Sequence, residues 1–228
     1  MPMASDAIPV RPRDEVPFTC QRCGSCCRNV EEQIMLEPLD AYQLGRFLRQ
    51  RGSEVRSIED VYSQYAEPML LNDGFPIFVL KTVGPEHACV FLQDGRCQVY
   101  ESRPRVCRLY PFSATGGQRG RRFAFYQCLD GHQGHFNGSK VSIKDWMHQN
   151  FTKEVREFVE ADAAAMTELG QLLRELGPKG QQDCLFQLLY YCYYNFDLDR
   201  PFMERYQVNH RALLGELRRR LGRNEKEI

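Results

Sequence analysis

Apolar residues recur at helical spacing in several stretches of the chain. Residues 38 to 51 place Leu39, Tyr42, Phe47 and Leu48 as core contacts of one helix. Pro38 sits in its first turn, where a missing N–H costs nothing, and Gly52 ends it. Ser57-Ile-Glu-Asp60 has the form of a capping box and predicts a helix to about residue 67. Ser142 with Asp145 opens another start. The long helical pattern behind it carries Phe151, Val155, Phe158, Ala165, Leu169, Leu172, Leu173 and Leu176, and Gly177-Pro178 stops it. Residues 181 to 196 form an aromatic-rich helix and residues 206 to 222 a charged amphipathic one. Between residues 70 and 130 the pattern changes period. Phe75 to Val83 and Arg122 to Cys128 read as strands. Cys89-Val-Phe-Leu and Cys97-Gln-Val-Tyr flank Asp94-Gly95 as a hairpin. Arg103 to Leu109 is a helical turn bounded by Pro104 and Pro111, and Gly116 to Gly120 is a loop.

This pattern predicts an α+β fold: a small cysteine-rich module of short strands and helices, followed by a helical C-terminal extension. The expected division is a flexible lead-in over 1–17, a cysteine-cluster domain over 18–138, a helical region over 139–222 and a tail over 223–228. There is no internal repeat.

Composition narrows the function classes. The 228 residues are 43% hydrophobic and 26% charged, with a formal net charge of zero. That excludes a globally basic nucleic-acid binder and an acidic solvating chain. No apolar run approaches the roughly 18 residues of a membrane span. Met1 to Pro17 carries four prolines and no apolar h-region, so it reads as neither signal peptide nor anchor. A reducing cytoplasm is the expected location.

Ten cysteines change the picture. In a reducing compartment thiols bind metal more often than they pair. Four fall in eight residues, Cys20-Gln-Arg-Cys23-Gly-Ser-Cys26-Cys27. Four thiolates per centre is the common number for zinc and for iron–sulfur clusters. Cys20, Cys23 and Cys26 have the spacing of three ligands in a bacterial ferredoxin run, which leans toward a [4Fe-4S] cluster, with zinc as the close alternative. Cys27 directly follows Cys26, so its side chain diverges toward a second centre or bridges to it. A two-residue Asp94-Gly95 loop would pair residue 89 with 100 and point Cys89 and Cys97 to opposite faces, whereas a three-residue loop puts them on one face. The sequence does not choose between them.

Charge agrees with a metal centre. From Cys89 to Arg122 there are seven arginines (96, 103, 105, 108, 119, 121, 122) against Asp94 and Glu101. Guanidinium groups offset the charge of about −2 that a four-thiolate centre carries. A solvated basic face is the plainer reading of the same run.

These residues resemble a known family. Phe18-Thr-Cys20-x2-Cys23-Gly24-x-Cys26-Cys27 opens the match. Cys89-Val-Phe-Leu, Gly95-Arg-Cys97-Gln-Val-Tyr100 and Arg103-Pro104-x2-Cys107-Arg108-x-Tyr110-Pro111-Phe112 continue it, and Cys128 completes eight cysteines. The pattern is similar to the YkgJ-type cysteine-cluster family, described as a zinc- or iron-chelating domain. The resemblance covers about residues 18 to 128. It implies metal binding through Cys20, Cys23, Cys26, Cys27, Cys89, Cys97, Cys107 and Cys128. It does not supply a reaction. Flagellin lysine methylases carry a similar cluster, but the C-terminal hundred residues match no recognised pattern.

Other chemistry-bearing residues have plainer readings. Cys184 and Cys192 are eight apart on one helical face and read as core, like the aromatics around them. His132 and His135 follow Cys128 in a glycine-rich stretch; imidazole is a good metal ligand, yet a surface loop is the expectation. His87 lies two residues before Cys89, where it could support a ligand from outside. His148 and His210 lie in helical patterns and read as structural or exposed. There is no nucleophile elbow, phosphate loop or dinucleotide fingerprint. The sequence therefore points to one or two [4Fe-4S] or zinc centres serving electron transfer or an accessory role. Its rivals are a cluster-containing transferase such as a protein lysine methylase and a structural zinc interaction module. The expected partner is another, unidentified protein; a membrane or nucleic acid is not expected. Catalytic residues are unassigned.

Overall fold

The computed structural model describes residues 7–71, 74–117, 121–129 and 133–222. In chain order it has strands β1 (Ala7–Val10) and β2 (Glu15–Pro17), a 3-10 turn (Ser25–Cys27), and helices α1 (Pro38–Gln50) and α2 (Ile58–Tyr65). Six short strands follow: β3 (Ala66–Leu70), β4 (Pro76–Leu80), β5 (Thr82–Val83), β6 (Ala88–Cys89), β7 (Leu92–Gln93) and β8 (Arg96–Cys97). A 3-10 turn (Tyr100–Ser102), α3 (Arg105–Leu109), β9 (Phe112–Gly116), β10 (Phe123–Cys128), a 3-10 turn (Gln133–Asn137) and β11 (Lys140–Ser142) come next. The chain ends with α4 (Ile143–Asn150), α5 (Lys153–Asp183), α6 (Leu185–Leu189), a π-helical turn (Tyr190–Tyr194) and α7 (Phe202–Arg220). Mixed helices and short antiparallel strands make the fold α+β, as the pattern predicts.

The chain divides into two compact units, each built from two segments. One comprises Met1–Ile34 with Lys81–Ala163, the other Met35–Leu80 with Ala164–Ile228. A single cut near residue 138 does not coincide with this division, because pairings between distant segments, invisible to local periodicity, decide which residues cluster.

In the first unit, β1, β10 and β9 form an antiparallel sheet in that order. Ala7 lies opposite Cys128 and Val10 opposite Phe125. β2 pairs with β11, Val16 opposite Val141. Residues 7–10 and 15–17 are thus strands and not the flexible lead-in that their prolines suggest. Their backbone groups find partners more than a hundred residues away. Phe18 is buried and meets Tyr110 and Trp146 edge-on, at 6.0 and 5.2 Å between ring centroids. Trp146 Nε1 donates to the Leu109 carbonyl at 2.9 Å, tying α4 to α3.

The second unit is helical with one hairpin. Ser57 and Asp60 form the expected reciprocal capping box: Asp60 N donates to Ser57 Oγ, and Ser57 N donates to the Asp60 carboxylate at 2.8 Å. α2 ends at Tyr65 because the chain turns extended at Ala66 and enters β3, which pairs with β4. Tyr62 is buried against Phe78 at 4.3 Å, and Tyr193 donates its hydroxyl hydrogen to the Pro76 carbonyl. Leu169, Leu172, Leu173, Cys184, Leu188, Leu213, Leu214 and Leu217 make one apolar core. Gly177 kinks α5 with φ +68°, at the predicted stop, and helical turns resume beyond it to Asp183. No described helix is long and apolar enough to cross a membrane.

Candidate metal centre

The thiols are gathered by the first unit, starting with the turn at residues 20–28. Gly24 adopts φ +72°, and a Cβ there would lie 2.6 Å from the Gly95 carbonyl oxygen and 2.7 Å from Leu92 Cδ1. Glycine is required on both counts: only it takes this backbone without strain, and only it lets the turn close onto the β7–β8 hairpin. Asn29 N and Val30 N donate to the carbonyls of Glu86 and His87, fixing the far side of the turn to the loop before Cys89.

The hairpin has a two-residue loop. Asp94 and Gly95 take φ of 49° and 70°, the left-handed pair that a tight hairpin needs. Leu92 lies opposite Cys97. The register does not run on to pair 89 with 100. Cys89 lies opposite Thr82 in the β5–β6 pair, and Val90 N donates to the Lys81 carbonyl. The segment before the hairpin has changed partners, so simple alternation cannot relate Cys89 to Cys97.

The outcome is a run of interacting sulfurs. Cys27 hydrogen-bonds to both Cys26 and Cys97. Donation from Cys27 draws the Cys26 thiol down to about 6; burial opposes this, and the charges of His135 and Arg103 assist it. The same donor draws Cys97 down to about 7 against burial, helped by the Val99 amide and Arg103. Cys27, donor to both and itself buried, is pushed far up. Cys107 lies near enough to raise it further. Burial pushes Cys89 up to about 11, with Cys97 and Cys26 adding like charge. Five predicted site residues, Cys26, Cys27, Cys89, Cys97 and Cys107, therefore act on one another.

Cys20 and Cys23 are exposed. Cys20 Sγ is 3.7 Å from the Tyr100 hydroxyl. The Tyr100 ring is flanked by the Arg22 and Arg103 guanidinium groups, 4.4 and 3.6 Å from its centroid. Cys23 Sγ is 3.1 Å from Ser25 Oγ and 3.1 Å from His135 Nε2. Cys128 ends β10, its amide bonded to the Pro111 carbonyl.

The arginine run resolves into separate jobs. Arg103 acts on Cys26 and Cys97. Arg105 is buried and bonded to the Ala114 carbonyl, Arg108 to the Arg103 carbonyl, and Arg122 to Glu160. Arg96 and Arg121 are exposed, and Arg119 lies outside the described residues. Among the described arginines of this run, Arg103 has a charge that lowers the thiols of Cys26 and Cys97.

The remaining candidates also sort themselves. His135 is buried beside the site, where the sequence reading favoured a surface loop over a ligand role. Its placement follows from the β2–β11 pairing, for which no local signal exists. His132 lies outside the described residues. His87 is half exposed and pairs with Glu31. His148 is exposed. Cys184 is fully buried in the leucine core of the second unit, with Cys192 packed against it.

Among the described residues, no three Cys, His, Asp or Glu side chains close on a single metal ion. The donor set nevertheless fits a thiophilic metal: contiguous thiols, two of them shifted toward thiolate, with a guanidinium and an imidazole beside them. An α+β protein with its thiols grouped in this way is of the metal-chelating, cysteine-cluster class. The chain belongs to the CxxCxxCC family, described as a putative zinc- or iron-chelating domain, whose model matches residues 19–135. No solved structure matches the chain.

Proposed function

We propose that this protein holds one or two metal centres through Cys20, Cys23, Cys26, Cys27, Cys89, Cys97, Cys107 and Cys128, a [4Fe-4S] cluster before zinc, and that it serves electron transfer or an accessory role. The observation that carries the reading is the contact of Cys27 with both Cys26 and Cys97, which joins the N-terminal turn to the hairpin through sulfur. The ferredoxin-like spacing of Cys20, Cys23 and Cys26 favours iron–sulfur over zinc. When bound, such a cluster supplies one-electron storage. The chain's own residues do the rest. Cys26 and Cys97 are held toward thiolate, the form that binds metal, by Cys27, Arg103 and the Val99 amide. Burial of Cys27 and Cys89 keeps water from that side, while Cys20 and Cys23 face solvent, where a partner could approach. The reading goes with a reducing compartment such as the cytoplasm, in which the thiols stay available.

The test is metal analysis with an absorption spectrum on protein purified without oxygen. Iron with acid-labile sulfide and a broad band near ~400 nm is the expected result. Stoichiometric zinc in colourless protein would replace the cluster with a structural or Lewis-acid site. Unchanged metal in both Cys23→Ser and Cys107→Ser would overturn the ligand assignment.

A further inference from the structure

We infer that His135 is itself a metal ligand, giving the centre that contains Cys23 a mixed sulfur–nitrogen shell. The inference rests on the metal-centre reading above and adds a donor that the eight-cysteine set omits.

Three observations carry it. First, the ring is buried, 8% exposed, yet its Nε2 is directed at a cysteine sulfur 3.1 Å away. Imidazole nitrogen and thiolate sulfur share zinc and iron readily. Second, the ring is held from both ends. The His135 carbonyl accepts from Thr19 N, and four residues on the Ser139 carbonyl accepts from Phe18 N. Gly138 between them packs so tightly that a Cβ would fall 2.0 Å from Thr19 Oγ1. The faces of Phe18 and Tyr110 meet the imidazole edge-on, at 6.1 and 6.5 Å between centroids, and fix its plane. Ligating histidines are oriented by their surroundings in this way. Third, the segment Gln133–Asn137 is tied directly to the cysteine turn. β2 leads into Phe18, Thr19 and Cys20, while its partner β11 is preceded by His135. One strand pairing thus sets the separation between Cys23 and His135. Cys20, by contrast, has the Tyr100 hydroxyl as its sulfur's neighbour.

As a neutral donor, the imidazole brings no negative charge of its own to the centre, unlike a thiolate, and histidine ligation goes with higher potentials in iron–sulfur centres.

The experiment is X-ray absorption at the edge of the metal that purifies with the full chain, on wild type, His135→Gln and Cys23→Ser. A nitrogen shell with imidazole outer-shell scattering in wild type, absent from His135→Gln while the thiolate signal persists, is the expected result. A sulfur-only shell in wild type overturns the inference and leaves the cysteine reading standing. Full metal retention with an unchanged sulfur shell in Cys23→Ser places the metal away from this residue and overturns both for this centre. His135→Cys serves as the fold-preserving check: it should keep metal and convert nitrogen scattering to sulfur.

Discussion

The two units of this protein reach order by different routes. The second rests on burial. Leu36, Leu39, Leu44, Ile58 and Val61 in one segment, and Leu169, Leu188, Leu213 and Leu217 in the other, are all at most 1% exposed. The first has an aromatic core around Phe18, but strands β5 to β8, which carry Cys89 and Cys97, are two residues each. A two-stranded ribbon of that length has no stability of its own in water. It is held by the Gly24 contact, the Asn29 and Val30 amide bonds to the Glu86 and His87 carbonyls, the buried Phe91 and Val99, and the sulfurs. A hydrophobic core is written in periodicity, whereas a ligand cage is written in the identity of a few residues. The first tolerates change by degrees; the second fails when one donor is lost.

The sharpest way to break this comparison is to remove the metal. Binding free energy of a thiolate site is folding free energy, on the order of 10 kcal/mol for structural zinc in small domains. Chelation, or Cys107→Ser, should therefore abolish hydrogen-exchange protection across residues 20–30 and 88–107. The amides of α7 and the α1–α2 pair should keep theirs. Equal loss in both units would show that the two do not differ in what holds them.

The converse experiment is Leu213→Ala. This side chain is fully buried, and its truncation should cost about 2–5 kcal/mol in thermal or denaturant unfolding. Metal content per folded chain should stay at the wild-type value, as it should in Cys184→Ser. A fall in metal stoichiometry in either variant would tie the leucine core to the ligands.

Gly24→Ala falls between these cases, since it removes no ligand and empties no core. The left-handed backbone and the overlap with Gly95 should together cost roughly 1–3 kcal/mol. Metal affinity should drop with them, because the turn and hairpin can no longer meet. Metal titration of the variant against wild type, at a temperature where both are folded, measures this directly.

The same contrast governs what could be read before the structure was known. α1, α2 and α7 follow from apolar spacing, and the Ser57–Asp60 box was legible as four letters. So was the place of the hairpin turn at Asp94-Gly95, though not its length, which the sequence left open between two and three residues. Cys184 as core followed from its leucine neighbours. What stayed hidden is pairing at long range. Ala-Glu-Pro-Met-Leu of β3 has no alternation, and it is a strand only because β4 lies opposite. β1 contains Pro9 and reads as a loose end until β10 supplies its partner. The strand change at Cys89 and the burial of His135 are consequences of such pairings. The candidate ligands could be named from their types, while their neighbours could not.

The smallest effect expected lies in the second unit and involves a titrating group well apart in sequence from any candidate ligand. His210 stacks on Tyr206 in α7 and donates to the Ala165 carbonyl. Burial holds its imidazole below the ordinary value, chiefly by penalising the charged form; Glu168 and the Ala165 bond pull the other way, and Arg218 adds to the depression. Its Nε2 is buried without a hydrogen-bond partner among the described residues, so a second proton there would have no acceptor. A histidine whose folded value lies below its unfolded one binds protons preferentially when unfolded. Its contribution to stability is complete above about pH 6.5, the unfolded value, and is lost as pH falls below it. Denaturant unfolding of wild type should thus weaken between pH 7.5 and pH 5 by more than that of His210→Gln, which has nothing to titrate. The difference between the two slopes isolates His210 from every carboxylate they share. If the slopes coincide, the charged imidazole is solvated in the folded state, and this end of the leucine core is more open than its burial implies.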